Sequence, residues 1–245
     1  MSYKIALVSY LNTRPFVHGL ENYQFSKKPK LSLDIPSICA KRFSEGFADI
    51  ALVPVGALNK LNADYKIFGK HCLGANGPVK SVFLFSQVPL NQVKRVFLDP
   101  DSETSNLLVQ VLSKDHWNVQ LKFVKPDGDI TMDKTDAVVA IGDKTFSMHE
   151  KFSCSFDLSE EWYHFTGMPF VFAVWVAKKA VSTDFEEEFS EALELGLEQK
   201  HELLDPSDLY LHSSLSRKEY LEECMQYGFG EVQKKAMEKF LKLIP

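Results

Sequence analysis

The stretch Lys4-Ile-Ala-Leu-Val8, followed at once by Ser9-Tyr-Leu-Asn-Thr-Arg-Pro15, decides the fold class. Its first five residues are short, apolar and partly β-branched, which is typical of a buried strand. Pro15 suits the first turn of a helix, where the missing N–H of proline costs no hydrogen bond. A strand that leads directly into a helix predicts an α/β unit.

The same alternation continues along the chain and predicts an α/β domain with a largely parallel sheet. Further strands are predicted over residues 31–35, 49–53, 81–86, 95–98, 119–124, 137–141 and 170–176. A helix is predicted over residues 36–45, where Pro36 suits its start and Gly46 its end, and residues 99–105 open an amphipathic helix that runs to about residue 116. Helices with apolar residues at helical spacing are predicted over residues 185–204, 217–227 and 231–243.

Composition narrows the class of protein. The chain has 245 residues, of which 45% are hydrophobic and 25% charged, as in an ordinary globular protein. A net charge of -5 without a basic run argues against a nucleic-acid partner. The longest apolar stretch, residues 170–177, is far shorter than the ~20 residues that span a bilayer, so we expect no membrane association. Because the first residues lack the layout of a signal peptide, we expect a cytoplasmic protein.

Cysteine and histidine spacing indicates neither a metal site nor a redox pair. The four cysteines contain no C-x-x-C pair, and buried free thiols are expected. The seven histidines lie apart in the sequence. The chain contains no phosphate-binding loop and no G-x-G-x-x-G motif. We therefore expect no bound cofactor and no metal.

No repeat or linker divides the chain, so two lobes joined by continuous strands are predicted. The first lobe would comprise residues 1–83 and 176–245, and the second residues 84–175. The strands at 81–86 and 170–176 would cross between them. Ligands of α/β sheets lie beyond the carboxyl ends of strands and often between domains, which predicts a binding site in the central cleft.

Two polar segments are candidates for that site. The loop after the first strand offers Ser9, Tyr10, Asn12 and Arg14, although Asn12 or Thr13 could instead cap the next helix. The helix that starts near Ser102-Glu-Thr-Ser105 offers hydroxyls and free N–H groups, which together can bind an anion. Ser102, Thr104 and Ser105 could equally serve only as caps.

Two turns add further candidates. Ser81 starts the first predicted crossing strand and would face the cleft. Thr166 and Gly167 form the turn into the second. These features together predict a cleft for a small anionic molecule.

At these same segments the chain resembles the chorismate dehydratases of the futalosine route to menaquinone. The matching stretches follow the family's order over about three quarters of the chain and are Val8-Ser-Tyr-Leu-Asn-Thr-Arg-Pro-Phe16, Ala48-Asp-Ile-Ala-Leu-Val-Pro54, Gly77-Pro-Val-Lys-Ser-Val-Phe-Leu-Phe-Ser86, Asp101-Ser-Glu-Thr-Ser105, Ala140-Ile-Gly-Asp143 and Phe165-Thr-Gly-Met-Pro-Phe-Val-Phe-Ala-Val-Trp175. The resemblance implies an α/β, two-lobed fold similar to type II periplasmic binding proteins. It also implies a cofactor-free lyase that dehydrates the dianion chorismate to 3-[(1-carboxyvinyl)oxy]benzoate.

The resemblance further implies roles for individual residues. Asn12 is expected to be catalytic. The expected substrate-binding residues are Ser9, Tyr10, Arg14, Ser81, Ser102, Thr104, Ser105, Thr166 and Gly167. Asp143 matches a family block, but helix capping is the physical role that its position favours.

Three alternatives remain open at this point. The fold is shared with transport receptors, so a plain binding protein for small anions is one. The sister enzyme that forms 1,4-dihydroxy-6-naphthoate in the same route is the second, and a regulatory or inactive homologue is the third.

Overall fold

The computed structural model of the protein describes residues 2–61, 64–128, 130–203, 210–212 and 215–244. Its strands are β1 (Lys4–Val8), β2 (Lys30–Asp34), β3 (Ile50–Pro54), β4 (Tyr65–Ala75), β5 (Val82–Ser86), β6 (Arg95–Phe97), β7 (Lys122–Val124), β8 (Asp136–Ile141), β9 (Cys154–Asp157), β10 (Phe170–Lys178), β11 (Tyr210–His212), β12 (Leu215–Ser216) and β13 (Gln226–Gly228). Its α-helices are α1 (Arg14–Asn22), α2 (Pro36–Ser44), α3 (Glu103–Val111), α4 (Leu158–Thr166), α5 (Thr183–Glu198), α6 (Arg217–Glu219) and α7 (Glu231–Leu243).

Six strands form the first sheet, in the order β13-β4-β10-β3-β1-β2. The predicted strand at the N-terminus is confirmed as β1, which pairs in parallel with both β2 and β3. β10 instead runs antiparallel to β3 and β4. Within this sheet, the predicted parallel pairing is therefore confined to the β2-β1-β3 edge.

Five strands form the second sheet, in the order β7-β6-β8-β5-β9. β6 is parallel to β7 and β8, whereas β5 is antiparallel to β8 and β9. Two mixed sheets with helices confirm the predicted α/β fold class.

The positions at which the chain changes sheets differ from the prediction. β10 pairs with the first sheet along its whole length, and β5 pairs only within the second. The chain therefore passes between sheets in residues 76–81 and 158–169, rather than inside the strands at 81–86 and 170–176. Backbone pairing explains this correction, because a strand fully hydrogen-bonded on one sheet cannot also span the gap to another.

Asp157 holds the two crossing segments side by side. Its carboxylate caps α4 by accepting the N–H groups of Ser159 at 3.0 Å and Glu160 at 3.2 Å, and it also accepts the Lys80 N–H at 2.7 Å. Lys80 has a φ of 63°, in the left-handed region. The contact fixes the backbone immediately before Ser81. Burial raises the pKa of Asp157 to about 6, against the effect of these N–H donors.

The C-terminal region contains a second correction. The predicted helix 217–227 is helical only as far as Cys224, and Tyr227 lies in β13. β13 pairs with the edge strand β4, so sheet pairing takes the residues that helical spacing had assigned to a helix. The end of the predicted helix 185–204, Leu204, lies outside the described residues.

Close backbone contact packs α1 against α5. A Cβ on Gly19 would lie 1.9 Å from the Ala192 carbonyl oxygen, and a Cβ on Gly196 would lie 1.9 Å from the Pro15 carbonyl oxygen. Only glycine permits this approach. Within the described ranges, no helix combines the length and the apolar character needed to cross a bilayer.

Candidate functional site

A narrow cavity of about 60 Å³ lies between the two sheets. It is reached by the last residues of three strands, Val8 of β1, Pro54 of β3 and Ile141 of β8. The polar side chains that line it are those of Tyr10, Asn12, Ser81, Ser102, Thr104 and Ser105. The structure thus brings together segments that lie far apart in the sequence, as the cleft prediction expects.

The turn after β1 presents Asn12 to the cavity. The Thr13 hydroxyl tightens this turn by donating toward the carbonyl oxygens of Val8 at 2.5 Å and Tyr10 at 2.7 Å. The Asn12 Oδ1 atom is buried and accepts no hydrogen bond from any residue that the structure describes. An acceptor desolvated in this way costs free energy unless a ligand supplies a donor.

Tyr10 lies against a glycine on the opposite wall. A Cβ on Gly142 would come within 3.1 Å of the Tyr10 ring, and Gly142 has a φ of 69°. Burial, followed by the nearby carboxylates of Asp101 and Asp99, raises the pKa of Tyr10 above its ordinary value. Tyr10 therefore stays protonated at neutral pH and can donate a hydrogen bond.

Two other residues of the same loop do not line the cavity. Ser9 is exposed, and its N–H donates to the Asp34 carbonyl oxygen at 3.0 Å. Arg14 is exposed at the start of α1. Neither side chain enters the space that Tyr10 and Asn12 line, and a contact of Ser9 or Arg14 with a ligand stays a prediction.

The N-terminus of α3 forms another wall. Ser102 caps this helix, since its Oγ accepts the Ser105 N–H at 3.2 Å. Both serines line the cavity, and their exposed fractions are 5% and 2%. Capping uses only an acceptor position of Ser102, so its O–H remains a donor. Capping and anion binding are therefore compatible at this helix.

Thr104 plays a different part from the one expected. Its Oγ1 accepts the Gly56 N–H at 3.0 Å and donates to the Phe172 carbonyl oxygen at 3.1 Å. Gly56 follows β3 closely and Phe172 lies in β10, both strands of the first sheet, whereas α3 follows β6 of the second. The hydroxyl therefore joins the two halves, and a contact of Thr104 with a substrate carboxylate stays a prediction.

Ser81 meets a residue that the sequence had not indicated. Tyr220, just past α6, donates from its phenol to the Ser81 Oγ at 2.8 Å. Both residues are buried, with exposed fractions of 0% for Tyr220 and 1% for Ser81. The two are 139 residues apart, and no local pattern around Tyr220 signals the contact.

Asp143 also departs from its predicted role. Its carboxylate accepts the Leu11 N–H, at 3.2 and 3.3 Å from the two oxygens, and so joins the turn after β1 to the turn after β8. Burial raises the pKa of Asp143, opposed by the Leu11 N–H and by the charges of Arg14 and Arg217. Helix capping is therefore wrong for this residue, which bridges the two sheets beside Asn12.

Thr166 and Gly167 lie outside the cavity lining. The Thr166 hydroxyl donates to the Trp162 carbonyl oxygen at 2.8 Å and accepts the Met168 N–H at 3.2 Å. Gly167 ends α4 with a φ of 68°. They form the predicted turn into β10, their polar groups complete the helix end, and their contact with a ligand stays a prediction.

The electrostatics of the site depend on neutral donors. Among the described residues that line the cavity, none is a lysine, arginine or histidine. Positive potential comes instead from the N-terminus of α3 and from that of α2, where Pro36 contacts the cavity. Hydroxyls, an amide and helix N-termini suit a small molecule with carboxylates and a hydroxyl.

Comparison with solved structures places the fold. A protein from Archaeoglobus fulgidus, AF1704, aligns over 99% of this chain and 96% of its own with a TM-score of 0.75 and 14% identity. The CA3427 gene product of Candida albicans, described as having the generic periplasmic binding protein fold, aligns over 99% and 90% with a TM-score of 0.67 and 14% identity. The alkanesulfonate-binding protein of Xanthomonas axonopodis pv. citri aligns over 100% and 94% with a TM-score of 0.65 and 13% identity. These similarities confirm the predicted periplasmic-binding-protein-like fold.

A family model provides the more specific comparison. The model described as menaquinone biosynthesis matches residues 3–245, nearly the whole chain. The resemblance identified at the sequence blocks is confirmed by this match. With its two-sheet fold and its cavity of hydroxyls and an amide, the chain belongs to the menaquinone biosynthesis family.

Proposed function

We propose that the protein is a chorismate dehydratase, a lyase that converts chorismate to 3-[(1-carboxyvinyl)oxy]benzoate and water. The observation that carries the proposal is the unpartnered, buried Asn12 Oδ1 in a cavity shared with Ser81, Ser102 and Ser105. Membership in the menaquinone biosynthesis family supports the same assignment.

The reaction is an elimination without net oxidation or reduction. The ring carbon that carries the ether oxygen loses its hydrogen as a proton, and the C–H electron pair forms a new ring double bond. The neighbouring C–O bond breaks, and the leaving hydroxide combines with the proton as water. Aromaticity drives the step, so the protein must mainly supply orientation, which can contribute up to about 7–11 kcal/mol.

Asn12 orients the reacting part of the substrate. Its amide oxygen accepts from a hydroxyl of the ligand, but an amide cannot act as an ordinary base. Among the described lining residues there is no aspartate, glutamate or histidine. We assign proton removal to the enolpyruvyl carboxylate of the substrate itself, which hydroxyl donors of the cavity would hold near the ring hydrogen.

The start of α3 is the proposed site of a substrate carboxylate. Ser102 and Ser105 contribute hydroxyl donors there, and the free N–H groups of the helix end add positive potential. Ser81 contributes a donor from the opposite crossing segment. Local donors are required because a net charge of -5 does not attract a dianion.

The test is to incubate purified protein with chorismate and follow the aromatic product by its ultraviolet absorbance and by mass spectrometry. We expect turnover by the wild type and a loss of about a hundredfold in Asn12→Ala, as for removal of a positioned polar group. Asn91→Ala is the matched control, since Asn91 is exposed on a turn outside the cavity lining, and it should match the wild type.

The alternatives give different results in the same experiment. Binding of chorismate without product would indicate a binding protein. Formation of 1,4-dihydroxy-6-naphthoate from the sister enzyme's substrate, without action on chorismate, would identify that enzyme instead. Near-wild-type turnover by Asn12→Ala would refute the assignment of Asn12.

A further inference from the structure

Tyr220 is a buried phenol that contacts the cavity only through other residues. It does not line the cavity itself, and its ring packs edge-on against Phe146 with centroids 5.4 Å apart and planes at 80°. Its hydroxyl donates to the Ser81 Oγ at 2.8 Å. A fully buried ring held by packing gives that hydroxyl a fixed position.

The same phenol also meets Asn12. The side-chain amide of Asn12 lies beside the Tyr220 oxygen. The Asn12 Oδ1 atom has no hydrogen-bond partner among the described residues, so the amide nitrogen is the atom that faces Tyr220.

The hydrogens available on each group determine which residue donates and which accepts in the hydrogen bonds that link Asn12, Tyr220 and Ser81. An amide N–H can only donate, so the Tyr220 oxygen accepts from Asn12 and its own hydrogen goes to Ser81. Because Ser81 Oγ accepts that hydrogen, the hydrogen of Ser81 is left to donate elsewhere. Ser81 and Asn12 both line the cavity, which receives one donor and one acceptor from them.

We infer that Tyr220 is a positioning residue, which makes the Asn12 amide present its oxygen and the Ser81 hydroxyl present its hydrogen to the substrate. Without the phenol, the Asn12 amide can exchange its oxygen and nitrogen by rotation, and the Ser81 hydroxyl can turn away from the cavity. This inference rests on the proposed dehydratase function.

The arrangement is stable because the phenol does not ionise under ordinary conditions. Burial raises the pKa of Tyr220 above its usual value, and the nearby charge of Asp143 acts in the same direction. The phenol of Tyr220 therefore always carries the hydrogen that it donates to Ser81, and the direction of the hydrogen bonds from Asn12 through Tyr220 to Ser81 does not change.

The test uses Tyr220→Phe, which removes the hydroxyl and keeps the ring packed on Phe146. The control is Tyr227→Phe, because Tyr227 is also buried, with an exposed fraction of 7%, and its hydroxyl has no hydrogen-bond partner among the described residues. Turnover of chorismate is measured for both variants and for Ser81→Ala, Asn12→Ala and the double variants with Tyr220→Phe. Urea unfolding confirms that each variant folds.

We expect Tyr220→Phe to lower kcat/KM by about tenfold, the value of one well-placed hydrogen bond, while Tyr227→Phe stays within twofold of the wild type. In the Ser81→Ala or Asn12→Ala background, Tyr220→Phe should have a much smaller effect, because its partner is already lost. If Tyr220→Phe acts by disturbing Asn12, which orients the reacting part of the substrate, kcat should fall. If it acts by disturbing Ser81, which donates to bound substrate, KM should rise. Effects that multiply in both backgrounds, or a Tyr220→Phe variant within twofold of the wild type, would overturn the inference.

Failure of the proposed function would be seen separately, as a wild type that does not convert chorismate. In that case neutron crystal structures of the wild type and Tyr220→Phe, which show hydrogen positions, decide the inference. An Asn12 amide with its oxygen and nitrogen exchanged, or a Ser81 hydroxyl hydrogen turned away from the cavity, would support it, and unchanged orientations of both would refute it.

Discussion

Replacing Thr104 by valine tests whether its hydroxyl joins the two halves of the protein or holds substrate. Valine has nearly the shape of threonine, so packing is conserved and only the hydroxyl is lost. In the structure this hydroxyl links the Gly56 N–H and the Phe172 carbonyl oxygen. Phe172 lies at a register shift between Val171 and Ala173, where strand pairing to β4 is interrupted.

The magnitude follows from the two backbone groups left behind. Thr104 is 2% exposed, so water does not readily replace its hydroxyl. A buried donor or acceptor without a partner costs about 1–3 kcal/mol. We therefore expect Thr104→Val to lower the free energy of unfolding by about 2–4 kcal/mol, allowing for partial relaxation around the two groups.

The assay is urea unfolding followed by the fluorescence of the buried residues Trp162 and Trp175. With the usual dependence on urea, the unfolding midpoint should fall by about 1 M or more. Thr104→Ser is the matched control, because it keeps the hydroxyl and loses only a methyl group, at a cost of about 1 kcal/mol.

Two results would refute this reasoning. One is a Thr104→Val variant within about 0.5 kcal/mol of the wild type. The other is a Thr104→Ser variant as unstable as Thr104→Val, which would assign the effect to the methyl group. Unchanged stability together with a raised KM for substrate would restore the carboxylate-binding role expected from the sequence.

Two further predictions concern stability alone. Gly19→Ala should lower the free energy of unfolding by at least about 3 kcal/mol, because its Cβ would lie 1.9 Å from the Ala192 carbonyl oxygen. The control Gly228→Ala, whose Cβ would have no atom within 4 Å, should lower it by about 0.5 kcal/mol or less. Comparable urea midpoints for the two variants would contradict the packing argument. Burial lowers the pKa of His71 from 6.5 to about 4, so the unfolded state binds more protons between these values. His71 therefore contributes stability that is fully present above pH 6.5 and is lost as the pH falls toward 4. Between pH 7 and pH 4 the wild type should lose about 3 kcal/mol more of its free energy of unfolding than His71→Asn, as measured by urea unfolding. Parallel pH profiles of the two proteins would show that His71 protonates freely in the folded protein.

Much of the local structure could be predicted from local residue patterns. β1 is a buried apolar run, and Pro15 lies in the first turn of α1 as expected. Ser102 caps α3 through a contact only three residues away. Such features depend on neighbours in the chain, whose backbone geometry is the same in any fold.

Other elements escaped the pattern for a physical reason. β4 contains Gly69 and begins with polar residues, so its strand character comes from pairing with β10 on one side and β13 on the other. Helical spacing likewise predicted a helix at Tyr227, whereas in the structure this residue lies in β13, which hydrogen-bonds to the edge of β4. Pairing with a distant strand outweighs weak local preference.

The amino-acid sequence was sufficient for the fold class, for the polar turn with Asn12 and for the serines at the start of α3. The partners of those residues came from folding: Tyr220 against Ser81, Asp143 against the Leu11 N–H, and Thr104 between Gly56 and Phe172. The reason is that a hydroxyl's role depends on which donors and acceptors surround it in space. For this cavity those groups come from segments 48 to 139 residues away along the chain.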